Sequence, residues 1–186
     1  MATTRRWQQY SLSRIEALLL VAIAVATVIY FGVLHYLDGR AATYFANLRQ
    51  TDPAFYLSQL RESQGFADYL AEYRDMEGYV SFKPAAPSFL VGRWTLREEP
   101  LRLSPGTAPE QCTDPVTFDY GILLMLESGG STLRVTYRIE GDTVLLKSAG
   151  IGTFSVKLVS YGSQLDHIEF QPPGLSKTYF AYNCGR

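Results

Sequence analysis

One stretch limits what this chain can become. Residues 17–37 read ALLLVAIAVATVIYFGVLHYL, without a formal charge at neutral pH, and only Thr27 and His35 among them are distinctly polar. As a helix rising about 1.5 Å per residue, the run extends roughly 31 Å, which matches the roughly 30 Å hydrocarbon thickness of a bilayer. A cleaved signal peptide is the competing reading. The run exceeds the roughly 7–15 residues of a signal core, and Ala41-Ala42 is a poor cleavage site. The stretch therefore reads as a retained anchor.

The flanks orient it. Arg5, Arg6 and Arg14 stand against the single acid Glu16 before the run, and Asp38 and Arg40 follow it. The positive-inside bias predicts a cytoplasmic amino terminus and carries the rest of the chain across, with Trp7 and Tyr10 at the interface. The expected location is a bacterial inner membrane, single-pass, with the large part periplasmic. Roughly 150 residues remain after the run, enough for one domain with its own core.

Helical spacing continues past Leu37. Ala41, Tyr44, Phe45 and Leu48 recur on one stripe, so a rigid helix reaches about Gln50. Thr51-Asp52-Pro53 then supplies a cap-type side chain and a proline near a helix start, predicting a second helix to about Ser63. Phe66, Tyr69, Leu70 and Tyr73 fall at i, i+3, i+4 and i+7, the mark of a third amphipathic helix ending near Gly78. Its aromatic stripe reads first as a packing face for its own domain and second as a face for a partner helix.

Composition changes after the connector Lys83-Pro84-Ala85-Ala86-Pro87. β-Branched and aromatic residues alternate with polar ones, predicting strands at 89–97, 117–127, 132–139, 143–148, 153–161, 165–171 and 177–183. Glu140-Gly141-Asp142 and Gly162-Ser163-Gln164 read as tight connections between consecutive strands, and Ser128-Gly129-Gly130-Ser131 as a flexible hairpin turn. Residues 100–116 are proline-rich and read as a long loop. The fold class is α+β: a single N-terminal transmembrane helix running into a helical stalk, then an antiparallel β meander or small barrel-like domain. Expected bounds are 1–16 for a cytoplasmic tail, 17–37 for the span, 38–83 for the stalk and 84–186 for the β domain.

Cys112 and Cys184 are the two cysteines, and both follow the span. In an oxidising compartment they pair and close a loop of roughly 70 residues, worth about 4 kcal/mol in the chain-entropy model; two unrelated buried thiols are the alternative. Neither lies in a CxxC pair, which argues against a zinc or redox motif. A net charge of −1 excludes a global electrostatic footprint for nucleic acid. His167 stands in a strand with Glu169 on its face and Asp166 opposite, short of a coordination set, and reads as part of a solvated face. Glu98-Glu99 reads as surface. There is no GxSxG elbow and no phosphate-cradling loop. No cofactor and no catalysis are expected.

Two resemblances add to this reading. Ser11-Leu12-Ser13-Arg14-Ile15-Glu16-Ala17-Leu18-Leu19-Leu20-Val21 resembles the start of a type IV pilin or pseudopilin, a family with a basic leader and a hydrophobic helix bearing one glutamate near its beginning. The resemblance implies that Glu16, with Arg14 beside it, acts in subunit assembly, and Arg40 falls where the pilin helix regains charge. Ser11, Leu12 and Arg14 depart from the family's glycine, phenylalanine and uncharged position. Separately, Gly92-Arg93-Trp94, followed by YRIEGDTVLLK, QLDHIEF and KTYFAY, is similar to lipocalin-like domains, whose first strand carries G-x-W. That likeness implies a barrel with Trp94 plugging its base or, more sharply, a cavity for a small apolar ligand. The function expected from all of this is that of an accessory or assembly subunit of an envelope complex, with membrane lipid and other membrane-protein subunits as partners.

Overall fold

In the computed structural model, residues 13–104, 107–113, 115–125 and 131–185 are described. Arg5, Arg6, Trp7, Tyr10, Ser11 and Leu12, and the turn at Ser128-Gly129-Gly130, lie outside them. The chain divides into two compact units, the second beginning at Pro53.

The first unit is one helix, α1 (Arg14–Thr51), 38 residues long with no buried residue. It is long and apolar enough to cross a membrane. Nothing in its sequence interrupts it: Gly32 and Gly39 are its only glycines, and proline enters only at Pro53. At its far end Asp52 donates its N–H to the Leu48 carbonyl, closing the last turn before that proline.

The second unit opens with α2 (Pro53–Gln64) and α3 (Phe66–Met76). Gly65 joins them at φ 99°, a conformation that favours glycine, and a Cβ there would meet the Gly162 carbonyl oxygen at 3.2 Å. That same carbonyl accepts the Phe66 N–H at 2.9 Å, satisfying one orphan donor of α3. The expected stalk through residue 83 thus divides. Only the part up to Thr51 extends α1, whereas α2 and α3 bury Leu57, Leu60, Phe66, Tyr69, Leu70 and Tyr73 in the second unit.

Nine antiparallel strands follow among the described residues: β1 (Gly92–Arg97), β2 (Pro115–Asp119), β3 (Ile122–Met125), β4 (Ser131–Arg134), β5 (Thr136–Glu140), β6 (Thr143–Ser148), β7 (Gly152–Tyr161), β8 (Gln164–Phe170) and β9 (Tyr179–Asn183). Their order, β4-β3-β2-β1-β9-β8-β7-β6-β5, makes a nearly closed, barrel-like sheet. The strands expected at 117–127 and 132–139 are each two. Gly121, at φ 64°, turns the chain between β2 and β3, and a break at Val135 separates β4 from β5. The strand expected from 89 begins at Gly92, because Leu90 and Val91 both donate to the Pro87 carbonyl in a preceding turn.

Successive strands leave β4 and β5 as edges, whose unpaired backbone groups invite other chains. The chain ahead of β1 answers this. Tyr137 and Lys83 exchange backbone hydrogen bonds at 2.7 and 2.9 Å, Ile139 donates to the Tyr79 carbonyl, and Gly121 donates to that of Pro84. Tyr137 ties the seam from inside: fully buried on β5, its hydroxyl donates to the carbonyls of Asp119 and Ile122 at 3.1 and 3.2 Å, at the β2–β3 turn. The core is dense and apolar, with Trp94, Tyr137, Phe118, Leu90, Leu123 and Ile168 among its fully buried side chains. On the α3 side, Phe66, Tyr69 and Tyr73 meet Phe89 at centroid distances of 5.6, 6.3 and 5.5 Å, the spacing at which aromatic edges meet faces.

Candidate functional site

Three places hold the residues singled out from the sequence. The first is the start of α1. Ser13 is the N-cap, its Oγ accepting the Glu16 N–H at 3.3 Å, while the Glu16 carboxylate accepts the Ser13 N–H at 2.8 Å. This reciprocal pair is a capping box, and it satisfies two of the donors a helix start leaves open. Glu16 therefore has a local task at the positive end of the helix dipole. Arg14 is the first helical residue and is exposed. At the other end of the apolar stretch, the Arg40 guanidinium lies 5.8 Å from the Tyr36 ring centroid, an aromatic–cation pair of the kind that suits a membrane boundary.

The second place is the interior of the β domain around Trp94. Trp94 is 1% exposed and donates its indole N–H to the Leu90 carbonyl at 2.8 Å, so the one polar atom of its ring is satisfied. Gly92 begins the strand at φ 129°, outside the comfortable range of residues with a Cβ. The interior that holds ligand in a lipocalin is occupied here by Trp94, Phe118, Tyr137 and their neighbours. The sizeable clefts are on the outside. One of about 610 Å³ is lined by Arg61, Tyr69, Tyr73, Glu77 and Ser88; an apolar one of about 280 Å³ lies between α3 and Ile139, Asp142 and Leu158. Arg61 packs its guanidinium 5.5 Å from the Phe66 ring and 5.6 Å from that of Tyr69, and its Nε donates to the Ser163 carbonyl.

The third place is the outer face beneath the proline-rich loop. Cys112 and Cys184 form a disulfide with a Cα–Cα distance of 5.6 Å across 72 residues of sequence. It ties the loop to the end of β9, where Cys184 also donates to the Arg93 carbonyl at 2.9 Å. Three further hydrogen bonds hold the loop down. The Thr95 hydroxyl donates to the Thr113 carbonyl, and the Tyr182 hydroxyl both accepts from Leu101 N–H at 2.8 Å and donates to its carbonyl.

His167 stands beside Tyr182, and here the expectation of a solvated face fails. It is 8% exposed and stacks on Tyr182 at 5.3 Å. The β7–β8 register shifts between Val159 and Ser160, leaving Asp166 without a cross-strand partner. A bulge of this kind re-aims a side chain. The Asp166 carboxylate meets His167 Nδ1 at 2.6 Å rather than facing away, and Glu169 comes within 3.5 Å of Nε2. Adjacency in a strand ordinarily means opposite faces, so the sequence carried no signal for this pair.

Burial pushes several tyrosines up. Tyr69 rises to about 12, from burial first and the neighbouring Tyr73 second. Tyr79 and Tyr137 are also raised, with burial the leading cause in each. These hydroxyls stay neutral and serve as hydrogen-bonding groups. Among the described residues no group of three or more histidine, cysteine or acidic side chains is placed to hold a metal ion.

No protein-family model, curated protein or solved structure matches this chain. Its class therefore rests on the geometry: one apolar helix long enough to span a bilayer, joined to a disulfide-bearing α+β domain built on a nearly closed antiparallel sheet.

Proposed function

We propose that this protein is a single-pass membrane protein of a bacterial envelope, amino end cytoplasmic, serving as a non-enzymatic accessory or assembly subunit of an envelope complex. The observation that carries the reading is α1: an unbroken helix of 38 residues in which none is buried. A soluble chain would leave that apolar surface in water, at roughly 25 cal/mol for every Å² exposed, so a bilayer is its natural cover. The charge asymmetry around the apolar run supports the orientation. The Cys112–Cys184 disulfide supports an oxidising compartment for the domain. Its partners are lipid and other membrane subunits. The test is gentle detergent purification with identification of what co-purifies, alongside alkaline extraction and protease accessibility of intact spheroplasts. A defined set of envelope proteins, a chain that resists extraction and a domain cleaved from outside would support the proposal. A chain released by alkali would sink it.

A second reading, a pilin-like subunit entering a filament, is favoured by Glu16 in the first turn of one long uninterrupted helix. Intact-mass measurement separates the two. Loss of the leader after Ser11 supports processing as a pilin, and a retained Met1 removes that support. If Glu16 acts in assembly, Glu16→Gln reduces partner recovery while leaving the chain in the membrane; unchanged recovery leaves Glu16 only its cap.

A further inference from the structure

The seam that closes the sheet carries an unusual surface. Two cations meet the Phe82 ring, the Arg138 guanidinium 4.9 Å and the Lys147 ammonium 5.7 Å from its centroid. Around it the chain leaves large apolar side chains in the open: Val80 is 59% exposed, Tyr120 67% and Ile122 42%. These lie on neighbouring backbone. Gly121 donates to the Pro84 carbonyl, Val135 donates to that of Gly121, and Ile122 pairs with the exposed Arg134 across β3 and β4. Acids share this surface: the Glu140 carboxylate is bound by Arg138, and that of Asp119 accepts the Tyr120 N–H at 2.7 Å, so Arg134 and Lys147 are the cations the patch offers to a headgroup. Aromatic and aliphatic side chains interleaved with arginine and lysine suit a charged headgroup region above hydrocarbon, because rings and methyl groups enter it while cations remain with phosphates.

We propose that this Phe82 seam docks on the anionic phosphate headgroups of the bilayer that α1 occupies. The proposal rests on the membrane reading of α1, which supplies the tether. From residue 38 to Thr51 the helix adds about 21 Å beyond the apolar stretch. Covalent linkage at that distance raises the local concentration of headgroups, letting a modest patch engage them. An acidic protein would meet the same cations, but the exposed valine, isoleucine and tyrosine would gain less from it than from an interface.

The test uses the full chain in lipid nanodiscs, either phosphatidylcholine alone or with phosphatidylglycerol, with brominated acyl chains as quencher. Tyr120→Trp introduces an indole at the seam, read as the difference from the unsubstituted chain, which keeps Trp7 and Trp94. In discs containing phosphatidylglycerol the added emission shifts to the blue and loses about half its intensity. In phosphatidylcholine discs, or after Arg134→Glu with Lys147→Glu, it stays at the value for water. An unquenched indole in a chain that co-elutes with phosphatidylglycerol discs overturns the docking while leaving α1 as a span. A chain that fails to co-elute overturns both. Quenching indifferent to lipid charge, or a blue shift caused only by an added polyglutamate peptide, also overturns it.

Discussion

Two helices in this chain use apolar residues in opposite ways. In α1 they surround the helix and none is buried; in α3 they occupy one stripe, and Phe66, Tyr69, Leu70 and Tyr73 all are. The contrast is one of angular distribution rather than of total hydrophobicity. A stripe finds its partner within the fold, and α3 finds the aromatic side of the β core through Phe89 and Tyr79. A sleeve finds no such partner among the described residues, and none of the residues of α1 is buried. In length and composition, the uncharged part of α1 is enough to cross a bilayer.

Substitutions that exchange these roles give the sharpest tests. The largest effect is expected from the packed side. Trp94→Ala removes a fully buried ring and orphans the Leu90 carbonyl, costing about 3–5 kcal/mol of domain stability in denaturant titration of the chain in detergent. Membrane retention stays unchanged, because α1 is untouched. Cys112→Ser with Cys184→Ser removes the link across 72 residues and costs about 2–4 kcal/mol, matched by wild-type protein under reductant. Equal stability with and without reductant would place the loop's hold in the Tyr182 and Thr95 bonds alone. On the sleeve side, Ala24→Arg puts a charge near the middle of the apolar run and costs about 3 kcal/mol of insertion. It should lower the membrane fraction without shifting the domain's unfolding midpoint, and an unchanged fraction would break the comparison.

Smaller effects refine it. Ser13→Ala takes the side chain from the capping box and costs about 1 kcal/mol of helix stability, seen as fraying at the start of α1 by hydrogen exchange. The buried tyrosines give the packed side a response to alkali. Raised folded values mean that between pH 10 and about 12 the unfolded chain releases protons that Tyr69 retains in the fold, so stability is complete below that window and declines through it. Denaturant midpoints measured across that range should fall, and Tyr69→Phe should flatten the slope.

Much of this was legible in advance. The uncharged run announces α1, Thr51-Asp52-Pro53 announces the break after it, and the spacing of Phe66, Tyr69, Leu70 and Tyr73 announces α3. Strand positions were close for β6, β7 and β8, where Glu140-Gly141-Asp142 and Gly162-Ser163-Gln164 punctuate the chain. Two double strands were read as single because an apolar run such as 122–125 hides a turn at Asp119-Tyr120-Gly121. Gly121 was the available signal. Of the candidate residues, Trp94 and the cysteine pair take places their chemistry suggests, one a core plug and the other a disulfide. For Glu16 the legible part is its capping role, since a capping box needs only residues three apart.

Local chemistry alone therefore determined the sleeve, the stripe, the helix caps and the alternation that makes strands, all set by interactions between residues close in sequence. The tertiary structure decided what distant residues do together. It placed the Tyr137 hydroxyl on the β2–β3 turn, paired Lys83 with β5 to cover an edge, and tied the proline-rich loop to Tyr182. It also turned Asp166 onto that histidine through a bulge. These are matters of register and closure, which depend on how nine strands share one curved sheet, and no local pattern encodes them.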